Sequence, residues 1–154
     1  MSGHSISLSH DGLTLAIGAH GNHGNSGNFN DNRGHVRVYN WNGSSWLQLG
    51  SDINGEAMND VSGYSVSLSS DGSIVAIGAP ENYGNGQSSG HVRIFENIGG
   101  SWSQIGQDID GEAAGGWSGY TVSLSSDGST VAIGAPYNNG NGIDLGHVRI
   151  YENI

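Results

Sequence analysis

The densest group of carboxylates lies in one short segment, in which Asp108, Asp110 and Glu112 fall within five residues. Hard cations such as Ca²⁺ bind several convergent oxygen ligands, so this segment is a candidate cation site. The same pattern is typical of a solvated turn, in which Asp-Gly makes the bend and the acids keep a sheet edge soluble. We favour the turn and leave the cation site open. Asp52 and Glu56 belong to an earlier copy of the segment.

Histidine is the second residue type that could do chemistry, and the chain has seven. Three of them, His35, His91 and His147, stand in the same Gly-His-Val-Arg motif. Zinc needs three or four ligands that converge on the metal. Equivalent residues of separate repeats lie far apart, so we interpret these histidines as copies made by duplication. The sequence therefore predicts no metal site and no cofactor.

The sequence contains no motif of an activated nucleophile. It has no cysteine, no lysine and no Gly-x-Ser-x-Gly segment. A pair of catalytic carboxylates contributed by separate repeats stays open, but no pair is singled out. We therefore expect a protein that is not an enzyme.

The composition restricts both the fold and the partners. The 154 residues include 28 glycines, and glycine weakens helices, which favours an all-β fold with glycine-bounded turns. The formal net charge of −10 argues against nucleic acid, because an acidic surface repels phosphates. No apolar stretch is long enough to insert into a membrane. Met1 leads directly into a strand pattern, so we expect no signal peptide in this chain.

Internal repetition organises the chain. The Gly-His-Val-Arg motif begins at Gly34, Gly90 and Gly146, a period of 56 residues (90 − 34 and 146 − 90). We predict one repeat domain over 1–154, divided into units at about 2–61, 62–117 and 118–154.

Each full unit contains four short strand patterns, A to D, which in the second unit span 65–69, 74–79, 91–97 and 102–109. The pair Asp71-Gly72 between strands A and B predicts a two-residue type I′ hairpin turn. Four strands per unit are typical of a β-propeller blade, whereas the coils of a β-solenoid are usually shorter. We predict an all-β protein with three propeller blades of four antiparallel strands, the third without its outer strand D.

The region from strand A to strand B resembles the FG-GAP repeat, the blade unit of integrin α-subunit propellers. The matching residues are Ser62-Gly63-Tyr64-Ser65-Val66 and Val75-Ala76-Ile77-Gly78-Ala79-Pro80, repeated at 118–122 and 131–136. The resemblance implies an extracellular or cell-surface location. Family blades that bind calcium carry several aspartates between strands A and B. Here Asp71 and Asp127 each stand alone, so the calcium role is not carried over.

One loop varies while the framework is copied. Residues 63–98 and 119–154 differ at eight of 36 aligned positions, and five of these lie between strands B and C. The four extra residues of the first unit fall in the same loop. Such variation is typical of a scaffold that presents a binding surface, and equally of an exposed loop without constraint. The candidate ligand-binding residues are Phe29, Asp31, Glu81, Tyr83, Gln87, Tyr137, Asn139 and Asp144.

We therefore expect a non-enzymatic scaffold or binding module that presents these loops to a glycan, as a lectin does, or to a protein. The alternative is a purely structural repeat fragment that self-assembles and has no ligand of its own.

The number of blades predicts assembly. Three blades are too few to close a propeller, because the last sheet does not reach the first. Apolar faces are then left open by Ile6, Leu8 and Ile17 at one end and by Val148 and Ile150 at the other. Since the repeats are nearly identical, we predict that two copies form a six-bladed homodimer with two-fold symmetry.

Overall fold

The computed structural model describes residues 2–23, 28–140 and 145–152, which form three antiparallel sheets and contain no helix. It therefore shows no helix that is long and apolar enough to cross a membrane in this part of the chain. The three sheets are propeller blades, as the repeats predict. Blade 1 has β1 (Ser5–Leu8), β2 (Thr14–Ala19), β3 (His35–Trp41), β4 (Trp46–Gln48) and β5 (Ile53–Asn54). Blade 2 has β6 (Ser65–Leu68), β7 (Ile74–Ala79), β8 (His91–Ile98) and β9 (Ser101–Asp110), and blade 3 has β10 (Thr121–Leu124), β11 (Thr130–Ala135) and β12 (His147–Glu152).

Strand order within each blade follows the chain. In blade 2, β6 pairs with β7, β7 with β8, and β8 with β9. Blade 3 repeats this order with its three strands. In blade 1 the outer strand is divided, because β4 and β5 each pair with a different part of β3. The predicted strands of the second repeat are confirmed to within one residue at each end.

The turn between β6 and β7 differs from the predicted two-residue hairpin. Ser69 and Ile74 close it with a hydrogen bond of 2.9 Å, so four residues form the loop. Asp71 accepts hydrogen bonds from the Ser69 hydroxyl at 2.7 Å and from the Ser73 amide at 3.0 Å. A type I′ turn needs two positive φ angles, whereas here Gly72 has a φ of 72° and Asp71 does not have a positive φ. The prediction was wrong because side-chain hydrogen bonds of Ser69 and Asp71 stabilise a longer turn.

The apolar side chains of blade 2 are buried on both faces of the sheet. One face of β7, with Val75 and Ile77, packs on the Val36 and Val38 side of blade 1. The other face, with Ala76, packs on blade 3. This arrangement explains why β7 is apolar without alternation, since each of its faces meets a neighbouring blade.

Adjacent blades are close enough for their main chains to touch. A Cβ on Gly18 would overlap the carbonyl oxygen of Gly63, and a Cβ on Gly78 would overlap that of Gly119. Hydroxyl groups of the inner strands join the blades at the same place: Ser5 donates to the Gly63 carbonyl, and the equivalent Ser65 to the Gly119 carbonyl, each at 2.8 Å. Glycine is required here because it alone has no Cβ.

We expect Gly78→Ala to lower the free energy of unfolding by about 1–3 kcal/mol, because the added methyl group separates blades 2 and 3. Gly140→Ala is the matched control, since a Cβ there would meet only the end of the Asn138 side chain, at 3.0 Å. Its expected effect is within about 0.5 kcal/mol. Urea denaturation followed by circular dichroism measures both values. Equal stability of the two variants would show that the close approach at Gly78 is not a constraint.

Candidate functional site

A pocket of about 300 Å³ opens where the linker after blade 1 crosses blade 2. Ala79 at the end of β7 pairs with His91 at the start of β8, and His91 pairs with Asp110 at the end of β9. The loop between β7 and β8 and the linkers between blades therefore emerge at the same end of the blades. The pocket is lined by Glu56, Ala57, Asp60, Asn82, Tyr83, Gly84, His91, Asp108 and Asp110.

Three potential ligand groups converge in this pocket. Atoms of Glu56, His91 and Asp108 that could bind a metal all lie within 4.8 Å of one another, the only such group in the described ranges. His91 Nδ1 is 3.8 Å from Asp108 Oδ2, which is too long for a hydrogen bond. The His91 residue is only 1% exposed, and its buried Nε2 has no hydrogen-bond partner. A buried polar nitrogen without a partner is uncommon and calls for an explanation.

Arg93 holds Glu56 at the edge of the pocket. Its Nη1 lies 3.4 Å from Glu56 Oε1, and its Nη2 donates a hydrogen bond of 2.7 Å to the Asn54 carbonyl. The guanidinium also lies over the Phe95 ring, at 5.2 Å from the centroid. The arginine therefore joins blade 2 to the linker of blade 1.

A buried carboxylate shapes the linker that carries Glu56. Asp60 is fully buried and accepts hydrogen bonds from the amides of Glu56 and Ala57, at 3.1 and 2.7 Å. It also accepts one from the Asn82 side chain at 3.0 Å, which ties the linker to the loop of blade 2. The next residue, Val61, has a φ of 52°, a strained value for a β-branched side chain. The linker is thus held in one conformation by its contacts with blade 2.

Burial shifts the pKa values of His91 and Glu56 in the direction that favours their neutral forms. Burial lowers the pKa of His91, and the nearby Arg93 lowers it further, while Asp108 and Asp60 act in the opposite direction. Burial raises the pKa of Glu56, although Arg93 opposes this shift. A neutral imidazole next to a carboxyl group that protonates more readily than usual is an arrangement suited to proton transfer or to metal binding.

The repeats contain two partial copies of the site. His147 lies 3.5 Å from Glu112, the equivalent of Glu56, at the junction of blades 2 and 3. His35 lies 3.9 Å from Asp52, the equivalent of Asp108, in blade 1. In the described part of the chain, all three residue types come together only at His91.

This arrangement divides the acidic segment 108–112. Asp108 and Asp110 line the pocket at the first junction, whereas Glu112 lies beside His147 at the second. The three carboxylates that are close in sequence therefore do not form one group. Instead of Glu112, it is Glu56, from the earlier copy of the segment, that lies with His91 and Asp108.

The residues proposed from the variable loops do not all line this pocket, as far as the structure describes them. Tyr83 is the one that lines the pocket, and it is 52% exposed. Glu81 is half-buried, and Gln87 lines a separate groove with Trp117. Tyr137 contacts the Trp117 ring, with centroids 5.4 Å apart.

The others do not line this pocket or lie outside the described residues. Phe29 is 84% exposed and lies against His23, with ring centroids 5.7 Å apart. Asp31 is buried and forms an ion pair of 2.7 Å with Arg33. Asn139 is exposed, and Asp144 lies outside the described residues.

Sequence reasoning missed Glu56 and set aside His91, although a signal was present. A glutamate precedes the motif histidine by 35 residues twice, at Glu56 and Glu112 (91 − 56 and 147 − 112). An aspartate follows it by 17 residues twice, at Asp52 and Asp108 (52 − 35 and 108 − 91). Duplication gives constant spacing to any pair of residues, so the signal is only that acid and histidine are retained together in two copies.

We expect the stability of the protein to decrease as the pH falls from about 7 to about 5, in part because of His91. Its pKa is lowered from 6.5 by burial, so the unfolded state binds more protons in this range than the folded state. His91→Gln removes this contribution, and its stability should depend less steeply on pH. Urea unfolding at a series of pH values measures the slope. An unchanged slope in the variant would contradict the proposed neutral state of His91.

Among the comparisons with known proteins, the one with solved structures found similar proteins. No family model matches the chain, and no curated protein matches it. Among solved structures, the chain is similar to PpgL, a periplasmic gluconolactonase of Pseudomonas aeruginosa, with a TM-score of 0.60 and 18% sequence identity. The match covers 96% of this chain and 38% of that protein. The similarity shows the propeller fold, and the chain spans less than half the length of the similar protein.

This comparison corrects two expectations. The sequence analysis predicted that the protein is not an enzyme and that it acts as a binding scaffold or, alternatively, as a purely structural fragment. Both predictions were wrong, because a solved propeller that is similar over 96% of the chain is an enzyme. The physical reason is that a propeller builds sites from side chains of adjacent blades, as at His91, so a missing nucleophile motif does not exclude catalysis.

Proposed function

We propose that the pocket around His91 is the active site of a hydrolase that uses a divalent cation to open lactones of polyhydroxylated acids. The observation that carries this proposal is the convergence of Glu56, His91 and Asp108 around one point, with the imidazole buried and its Nδ1 3.8 Å from Asp108 Oδ2. The substrate class is taken from the similarity to a gluconolactonase.

The donor set fits a catalytic cation. His91 and Asp108 would supply an imidazole and a carboxylate, which are ligand types of Zn²⁺ and Mn²⁺ sites, and would leave positions open for water, while Glu56 stays available for proton transfer. Such a cation lowers the pKa of bound water and polarises a carbonyl group. The pocket of about 300 Å³ is at the lower end of the range for small-molecule sites.

The residues of the chain supply the proton transfers and the positioning. In lactone hydrolysis, the water oxygen bonds to the carbonyl carbon, the ring C–O bond breaks, and the ring oxygen takes up a proton to give a hydroxy acid. Glu56, with its raised pKa and exposed carboxyl group, accepts the proton of the water and returns it to the ring oxygen. Tyr83 at the rim contacts the hydroxyl groups of the substrate. The acidic surface, with a net charge of −10, repels the anionic product.

We also propose that the blades are of the FG-GAP type and that the protein works outside the cytoplasm. The Ser-Gly-Tyr and Gly-Ala-Pro segments at 62–64 and 78–80 support the first point, and the periplasmic location of the similar gluconolactonase supports the second. Cell fractionation with an antibody against the chain tests the location, and recovery only in the cytoplasm would contradict it.

Hydrolysis of glucono-δ-lactone by the purified chain tests the proposed activity. A pH-stat measures acid release above the spontaneous rate, before and after treatment with EDTA and after addition of Zn²⁺, Mn²⁺ or Ca²⁺. We expect activity that EDTA removes and one of these ions restores. Glu56→Gln, His91→Gln and Asp108→Asn should each reduce the rate by roughly 100-fold or more.

His147→Gln is the matched control, because it changes the same residue type in a junction where only Glu112 is close. Its activity should equal that of the unaltered protein. Hydrolysis at the spontaneous rate with every ion would contradict the lactonase assignment. Activity that survives EDTA and requires His91 would contradict the role of a cation but would still support hydrolysis at this pocket.

A further inference from the structure

We infer that the open groove of blade 3 binds blade 1 of a second copy of this chain, through the segment Ser2-Gly3-His4 and the apolar face of β1. This inference does not rest on the proposed function. It rests on the two junctions within the chain, which show what fills the same groove on blades 1 and 2.

The outer faces of blades 1 and 3 are apolar and exposed. Val148 and Ile150 of blade 3 are each 66% exposed, whereas their equivalents Val92 and Ile94 in blade 2 are 0% and 2% exposed. On blade 1, Ile6 is 66% exposed and its equivalent in blade 2, Val66, is 9% exposed. The difference arises because each buried residue is covered by a neighbouring blade. Neighbouring apolar side chains that are exposed on one face mark an interaction surface.

A groove of about 450 Å³ marks the place where the next blade would contact blade 3. It is lined by Gly134 and Gly146, the equivalents of Gly78 and Gly90. At the junction of blades 2 and 3, Gly90 forms a parallel bridge with Ser118. Near Gly134 and Gly146, by contrast, an added Cβ would meet only atoms of blade 3.

The segment Ser2-Gly3-His4 has the sequence pattern and the conformation that this groove accepts. Ser62-Gly63-Tyr64 and Ser118-Gly119-Tyr120 are the segments that bind at the two internal junctions. Gly3 has a φ of 81°, close to the 82° of Gly63 and the 84° of Gly119. Gly3 therefore already has the φ angle of the two bound glycines, which lowers the cost of ordering this segment on association.

The hydrogen bonds of the internal junctions define the expected contacts. Ser65 donates to the Gly119 carbonyl at 2.8 Å, and the Leu124 amide donates to Ser67 at 2.9 Å. In blade 3, Thr121 and Ser123 stand at the positions of Ser65 and Ser67. We expect Thr121 to donate to the Gly3 carbonyl of the second copy, and Ser123 to accept from its Leu8 amide.

The interaction is head-to-tail, so each copy uses both of its outer faces. Two copies have two identical junctions and six blades, which is enough to close a propeller ring. Ring closure covers both apolar faces of each chain and leaves no copy with an open groove.

Light scattering coupled to size-exclusion chromatography of the full chain tests the inference. We expect twice the chain mass of 15.9 kDa. Ile6→Asp and Val148→Asp should each give monomers, because each places a charge in both junctions of the ring. Ile98→Asp is the matched control, since Ile98 is 60% exposed at the end of β8 in the middle blade, and it should remain dimeric. Circular dichroism checks that each variant is folded. If only one of the two face variants folds, its mass alone tests whether that face is needed for the dimer.

Mixing the two face variants separates this arrangement from other modes of association. One junction between them contains neither substitution, so Ile6→Asp and Val148→Asp together should form a heterodimer although each alone is monomeric. A monomeric wild-type chain would overturn the inference and indicate that another part of a longer chain or a different protein covers the faces. A face variant that stays dimeric, or a mixture that stays monomeric, would also overturn it.

Discussion

The contact of main chain against main chain between adjacent blades is the constraint on which the rest of the structure depends. Gly18 and Gly78 leave room for the carbonyl oxygens of Gly63 and Gly119, and serine hydroxyls of the inner strands bond to those same oxygens. Because the blades approach so closely, their apolar faces exclude water and β7 is buried on both sides. The same contact brings the linker after blade 1 against blade 2, and this is what places Glu56 beside His91.

The strands and their order were predictable because two local signals agree. The alternation in β6 and the apolar run in β7 have different burial requirements, and the repeat shows both twice. The details that failed depend on side chains rather than on periodicity. The turn at Asp71 is longer than predicted because Ser69 and Asp71 supply hydrogen bonds that a two-residue turn does not need. The division of the outer strand of blade 1 has no signal in the repeat pattern.

The site was less predictable, for a reason of geometry. The repeats predict that His35, His91 and His147 lie in different blades, as they do. This prediction overlooked that His91 also faces a carboxylate of the linker after blade 1 and another of its own outer strand. Asp108 and Glu112 are four residues apart, yet they belong to different junctions because the linker crosses from one blade to the next. Proximity in sequence was therefore a poor guide to proximity in the site.

The glycine contacts between blades also have an evolutionary consequence. At each internal junction, the Ser-Gly segment of one blade binds the preceding blade at the glycine before that blade's motif histidine. One 56-residue unit therefore contains the residues for both sides of a junction. Duplication or loss of a whole unit then leaves every remaining junction chemically intact, whereas an insertion inside a unit is tolerated only in loops such as that of the first repeat. Genes of this kind are expected to change length in steps of one repeat.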